Sequence, residues 1–308
     1  MGARRRVSSY PSELGANVAT KTALVTGASS GIGEATALRL KELGFTVYGA
    51  ARRVERMTAL ADAGVKVLKM DVTDDASMVA GSEQIVAETG RIDVLVNNAG
   101  YGSYGALEDV PMDEAKYQFE VNIFGLARLT QLVLPHMRAQ GDGYIVNVSS
   151  VGGKIWEPLG AWYHATKYAV EGLSNSLRVE VKPFGIKVVV IEPGAIATEW
   201  SAIAADGLVK TSGHTAYAEQ ARDSAAILNF TDGNPRLASP PSVVAKAIGR
   251  AVSRRRPRVR YAVGGGAKPV LLLLAVLPDR GFDAAVSWAF RFVGKRFGKD
   301  LPAPSAAD

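Results

Sequence analysis

The chain has 308 residues, 47% hydrophobic and 21% charged, enough for one large α/β domain or two small ones. It has no cysteine, which excludes disulfides and Cys-ligated zinc, and its three histidines, His136, His164 and His214, are too scattered for a His-rich site, so no metal is expected. The net charge of +6 arises from the basic stretch Lys246–Lys299, while the remainder is slightly acidic, which argues against a nucleic-acid binder with a basic main domain.

Residues 1–20 are polar and carry Arg4, Arg5 and Arg6. No apolar stretch follows them, so a secretory signal is not expected, and Arg6 breaks the myristoylation pattern. A disordered tail is expected here, with the cytoplasm as default location. Apolar runs then recur at Thr22–Thr26, Phe45–Ala50, Val65–Met70, Ile92–Val96, Tyr144–Val148, Ile186–Ile191 and Val259–Val263. Continuous rather than alternating runs suit strands buried on both faces. Between the first two, apolar positions spaced along Gly33–Gly44 predict an amphipathic helix closed by Gly44. Strand–helix alternation predicts a parallel sheet with right-handed crossovers. One domain is expected over 21–265.

The stretch 197–242 is rich in Ala, Gly, Ser and Thr, lacks a clear strand, and separates the last two strands. It is expected to be an insertion that serves as a substrate lid, with Gly207, Gly213 and Gly233 as bending points. The run Val270–Leu277, between Pro269 and Pro278, falls short of the roughly 20 residues that span a bilayer. Pro278–Lys299 mixes aromatic and basic residues. Within a C-terminal extension over 266–308, this segment is expected to cap the substrate cleft or, alternatively, to lie on an anionic membrane surface.

Thr26-Gly27-Ala28-Ser29-Ser30-Gly31-Ile32-Gly33 follows the first strand and opens a helix. Glycines there allow a tight turn and let the backbone approach a pyrophosphate at the helix N-terminus. A strand–turn–helix setting raises this to a dinucleotide site. Further along stand Asn97-Asn98-Ala99-Gly100, Asn122, Val148-Ser149-Ser150, Tyr163-His164-Ala165-Thr166-Lys167 and Pro193-Gly194-Ala195-Ile196-Ala197-Thr198. Together, in this order, they resemble the classical short-chain dehydrogenase/reductase family.

The resemblance implies a doubly wound Rossmann fold with a seven-stranded parallel sheet in the order 3-2-1-4-5-6-7. It implies Asn122, Ser150, Tyr163 and Lys167 as the catalytic set. Tyr163 would be the acid/base. Lys167 would also hold the nicotinamide ribose, Ser150 the reacting oxygen, and Asn122 a water that passes protons to Lys167. Cofactor contacts would come from Gly27, Ser29, Ser30, Gly31, Ile32 and Gly33. Asp71 and Val72 would lie at the adenine, with Asn98, Ala99 and Gly100 beside the cofactor, and Pro193, Gly194, Ile196 and Thr198 at the nicotinamide end.

Physical chemistry supports the Tyr163–Lys167 pairing. Residues four apart share a helix face, and an ammonium beside a phenol is expected to lower the tyrosine pKa toward working pH. Adjacent positions do not share a face, so His164 is read as structural. After the second strand the sequence reads Gly49-Ala50-Ala51-Arg52-Arg53, with two arginines where an NAD enzyme places a carboxylate. NADP(H) is therefore expected over NAD(H), with Arg52 and Arg53 on the 2′-phosphate.

Tyr101, Tyr104, Trp156, Leu159, Trp162 and Trp200 are candidate pocket walls, with Ser150, Trp156 and Trp200 as substrate contacts. The stretch Ser150–Glu192 most resembles the branch acting on 17β-hydroxysteroids and retinol, which implies a bulky apolar alcohol or ketone. The expected function is an NADP(H)-dependent oxidoreductase on a small-molecule substrate, assembled as a homo-oligomer. The alternative is an NADPH-binding regulator on the same fold. The full set of Asn122, Ser150, Tyr163 and Lys167 favours the enzyme.

Overall fold

The computed structural model describes residues 20–232 and 234–297. Apart from Thr20, the expected tail lies outside the described residues. In chain order the first half contains β1 (Thr22–Thr26), α1 (Gly31–Glu42), β2 (Thr46–Ala51), α2 (Thr58–Asp62), β3 (Lys66–Lys69), α3 (Asp75–Thr89), β4 (Val94–Asn97), α4 (Met112–Phe119), α5 (Gly125–Gln140) and β5 (Gly143–Val148). The second half contains α6 (Ala161–Val181), β6 (Ile186–Pro193), α7 (Glu199–Ser212), α8 (Ala218–Asp232), α9 (Ser242–Val252), β7 (Arg260–Val263), α10 (Ala267–Val276) and α11 (Asp279–Phe297). The strands form one seven-stranded sheet in the order β3-β2-β1-β4-β5-β6-β7, and every named pairing is parallel. This is a Rossmann-type sheet.

Alternate residues of each strand supply two cores. Ala23, Val25, Val94, Val96, Val146 and Ile191 face α1 and α9, where Ala37, Leu40, Val244 and Ile248 meet them. Leu24, Leu95, Ile145 and Val188 face the other way, toward Ile85 of α3, Leu129 and Val133 of α5, and Leu177 of α6. Burial on both faces explains why the runs carry no polar alternation. Each fully buried side chain of this kind contributes about 1.5–3 kcal/mol. A crossover after every strand leaves all C-terminal strand ends on one edge, where open α/β sheets bind ligands.

The segment 197–242, expected as an insertion without a clear strand, is largely helical. It folds as the helices α7 and α8, packed on each other and, through α8, on α11. Its abundant alanine is a strong helix former. Gly207 lies inside α7 and Gly213 ends it with φ −70°, so neither acts as a bend, and Gly233 lies outside the described residues. The C-terminal extension is helical too. In α11 Phe282 is fully buried, with its ring 4.9 Å from that of Trp156. The helix α10 exposes Leu272, Leu273 and Val276. Among the described residues no helix is long and apolar enough to cross a membrane.

Candidate active site

A cleft of about 660 Å³ runs along the C-terminal edge of the sheet, from Arg52 and Arg53 past the glycine turn to Tyr163 and on to Trp200. The turn after β1 is shaped for close approach. Gly27 and Gly31 have φ of +65° and +59°, and a Cβ on Gly33 would lie 2.2 Å from the Gly27 carbonyl oxygen. Only glycine fits such contacts. Asn98 pins the turn: its Nδ2 donates to the Thr26 carbonyl at 3.0 Å, while the Asn98 and Ala99 amides donate to Thr26 Oγ1, each at 3.0 Å. Ser30 is the N-cap of α1, yet its hydroxyl makes no capping hydrogen bond and lines the cleft with Ser29. An anion at this helix N-terminus would meet unpaired N–H donors. The residues present thus fit a dinucleotide.

Asp71, Val72, Gly100, Pro193, Gly194, Ile196 and Thr198 also line the cleft. Arg52 Nη1 donates to the Tyr117 hydroxyl at 2.9 Å, and Arg53 is exposed beside it. Arg56 pairs with Glu199 at 2.7 Å, tying the β2 side to the first turn of α7. The pair is solvent-exposed and contributes little stability.

Tyr163 and Lys167 lie on one face of α6, and both are buried. Lys167 Nζ lies 5.8 Å from the Tyr163 ring centre and donates to the Val148 carbonyl at 3.2 Å. Ser150 stands beside the Tyr163 phenol, with its Oγ accepting from the Gly152 amide at 3.0 Å and donating to the Pro193 carbonyl at 3.5 Å. The expected lowering of the Tyr163 pKa does not occur. Burial pushes the phenol up to about 12, outweighing the lowering influence of neighbouring Ser150, and burial brings Lys167 down to about 8. A dry cleft disfavours phenolate and ammonium alike.

Asn122 sits in a π-turn, Glu120–Phe124, rather than in regular α-helix. Single π-turns often mark functional positions. Its Nδ2 donates to the Tyr101 carbonyl at 2.9 Å and to Thr166 Oγ1 at 3.1 Å, and its Oδ1 accepts from the Tyr101 amide at 3.1 Å. Both amide hydrogens are used, so a water here would find only acceptor oxygens. A Cβ on Gly100 would lie 3.0 Å from Asn122 Oδ1 and 3.8 Å from Lys167 Nζ, so all three converge.

The aromatic walls are sorted by direction. Tyr104, Tyr163 and Trp200 pack with ring centres 5.3 to 6.0 Å apart, and Tyr101 also lines the cleft. Trp156 does not line it. Its indole donates to Asp283 of α11 at 2.7 Å, so it anchors that helix instead of meeting substrate. Trp162 packs on Phe119, and Leu159 is likewise absent from the lining. The outer walls come from Ile203, Ile227 and Leu228 of the α7–α8 pair and Phe290 of α11.

Behind the cleft lies a charge cluster that motif reading passes over. Glu171, one turn beyond Lys167, and Glu192, at the end of β6, are both buried and share Arg260. Arg260 meets Glu171 at 3.0 Å and Glu192 at 3.2 Å, and Lys154 meets Glu171 at 3.1 Å. Burial and the neighbouring Glu171 push Glu192 up to about 7. A carboxylate directly after the apolar run Val188–Ile191, still within the strand, is the sequence signal that could have found it.

Residues 21–207 match the family described as short chain dehydrogenase. The chain belongs to this family. This dehydrogenase is 39% identical over 242 residues to a 3-ketodihydrosphingosine reductase of Bacteroides thetaiotaomicron, covering 78% of this chain and 87% of that one. It also resembles the crystal structure of a short-chain dehydrogenase from Streptomyces avermitilis, with a TM-score of 0.71 and 34% identity over 92% of this chain and 99% of the other. An actinorhodin polyketide ketoreductase solved with NADPH matches with a TM-score of 0.68 and 30% identity, over 80% and 97% of the two chains. The dehydrogenase is an oxidoreductase of alcohols and carbonyls that uses a nicotinamide dinucleotide.

Proposed function

We propose that this dehydrogenase interconverts a bulky, largely apolar alcohol and its ketone with NADP(H), using Tyr163 as acid/base. The observation that carries the reading is one cleft in which Tyr163, Ser150 and Lys167 lie between an arginine-flanked glycine turn and apolar outer walls. The nicotinamide, when bound, supplies or accepts the hydride. A phenol held near 12 is protonated at neutral pH and is suited to give its proton to the oxygen of a carbonyl being reduced. The Ser150 hydroxyl orients that oxygen. Lys167 holds the ribose hydroxyls and helps relay protons beside Asn122. Arg52 and Arg53 take the 2′-phosphate. The α7–α8 pair, rooted at Thr198, closes over the substrate as a unit.

Steroid, retinoid and long-chain lipid ketones are the candidate substrates, the last in keeping with the sphingosine-type relative. The test is a panel of such ketones with NADPH, followed by its absorbance, in wild type and Tyr163→Phe. The variant should lose about 10²–10⁴-fold in turnover while still binding NADPH. Retained activity would overturn the acid/base role. Binding of NADPH with no turnover by wild type would favour the regulator.

Two partners complete the reading. Exposed Met112, Phe124, Tyr168 and Val179 suit burial against a second copy of the chain, which light scattering would detect. The exposed α10 stands beside a groove lined by Arg250, Arg254, Arg258, Arg260 and Lys268, a pairing suited to an anionic bilayer surface.

A further inference from the structure

We propose that Glu157, backed by His164, forms a subsite for a protonated amine close to the reacting carbonyl, so that the preferred substrates are amino ketones or the corresponding amino alcohols. The proposal rests on the reading of the cleft as a carbonyl/carbinol site.

Glu157 and His164 both line the cleft beside Tyr163, and neither has a role in hydride transfer. His164 is buried, and its Nδ1 lies 2.8 Å from the Gly152 carbonyl oxygen. A carbonyl only accepts, so Nδ1 carries the hydrogen, and Nε2 of the uncharged ring is an acceptor. That Nε2 is buried without a hydrogen-bond partner. Glu157 Oε2 stands 3.9 Å away, beyond hydrogen-bonding distance. With the ring uncharged, two acceptors thus face one another with no donor between them, an arrangement that costs free energy until a donor arrives.

Charge selects the donor. The Glu157 side chain is only 30% exposed, and its outlook is a largely apolar cleft. A carboxylate in such a place is stabilised far more by a cation than by a neutral hydroxyl. The negative charge of Glu157 also raises the pKa of both Tyr163 and Tyr104. An ammonium there would offset that field at the phenol that serves the reaction.

The loop bearing Glu157 is held in place from both sides. Trp156, its neighbour, is tied to Asp283 of α11, and Leu159 adopts the left-handed φ of +62° while its carbonyl accepts from the Gly105 amide at 2.8 Å. A non-glycine residue kept in that region marks a backbone fixed by its surroundings.

The test compares a long-chain α-amino ketone with the same ketone lacking the amine, using NADPH and both wild type and Glu157→Gln. Glu157 lies on a partly exposed loop, and the replacement is isosteric, so the variant should fold. Wild type should favour the amino ketone in kcat/KM by about tenfold or more, chiefly through KM, as one charge-assisted hydrogen bond allows. In Glu157→Gln the ratio of the two substrates should collapse toward one. A ratio near one in wild type, with the plain ketone turned over, would refute the subsite and leave the ketone reading standing. Should neither ketone react, calorimetry on the NADP-loaded protein decides: tighter binding of the amino alcohol than of the plain alcohol, lost in Glu157→Gln, supports the subsite, and equal binding overturns it.

Discussion

Lys167 places its ammonium 5.8 Å from the centre of the Tyr163 ring, one helical turn along α6, in a cleft dry enough to bring its pKa down to about 8. Burying that charge opposes folding. Its folded pKa lies below the ordinary 10.5, so the penalty is full below about 8 and is relieved as pH rises from there toward 10.5. Tyr163 acts only above its ordinary 10.0, where its raised pKa destabilises the fold, which leaves the window between about 8 and 10 to the lysine. Lys167→Met should therefore be inactive yet melt higher than wild type at neutral pH, with the advantage shrinking across that window. Thermal melts over the range check this, and a constant difference would show that the lysine charge is not the cause.

Replacing Arg52 and Arg53 together with alanine should weaken NADPH binding far more than NADH binding. Charge-assisted hydrogen bonds are worth roughly 1.5–3 kcal/mol each, and solvent exposure of both arginines places the effect at the low end. Fluorescence titration of both cofactors is the measurement. Equal losses would remove the 2′-phosphate role. Arg52 also holds the Tyr117 hydroxyl, so Tyr117→Phe is the control for indirect effects.

Glu192→Gln should stabilise the protein at alkaline pH and leave it nearly unchanged near pH 5. The folded pKa of about 7 is raised from an ordinary 4.5 by burial and by Glu171. Stability from the protonated acid is present below 4.5 and is lost as pH rises through about 7. The amide imitates the protonated acid and escapes that loss. Parallel melting curves for variant and wild type across this range would contradict the assignment.

The strands and the order of the site motifs were legible because parallel strands read as unbroken apolar runs and four of the motifs follow directly on a strand. Side-chain direction was not. Trp156 and Trp200 look alike in sequence, yet one anchors α11 and the other walls the cleft. Over 197–242 the lack of a strand pattern was legible and the two helices were not, although alanine favours them. The pKa of Tyr163 depends on the dryness of the cleft, a property of residues distant in sequence. Glu171 and Glu192 stand 21 positions apart in the chain, and only β7 brings Arg260 to both.

Vesicles test the surface of α10. Sedimentation with anionic phospholipid vesicles should carry the protein down, with little binding to zwitterionic vesicles and release by salt. Leu272→Glu with Val276→Glu should abolish binding and leave the melting temperature within a few degrees, since both side chains are exposed. Binding that survives these replacements would exclude α10 as the contact.

Ser224, Ile227, Leu228, Thr231 and Phe290 reach the cleft from beyond the stretch, 21–207, that matches the family. Part of the cleft wall thus comes from a stretch of the polypeptide apart from Ser150, Tyr163 and Lys167, while Tyr104, Trp200 and Ile203 complete it from within 21–207. The C-terminal third supplies these outer walls and none of the proposed catalytic residues. Exchanging it between relatives should redirect what is converted, while the nucleotide partner and the stereochemical course of hydride delivery stay the same.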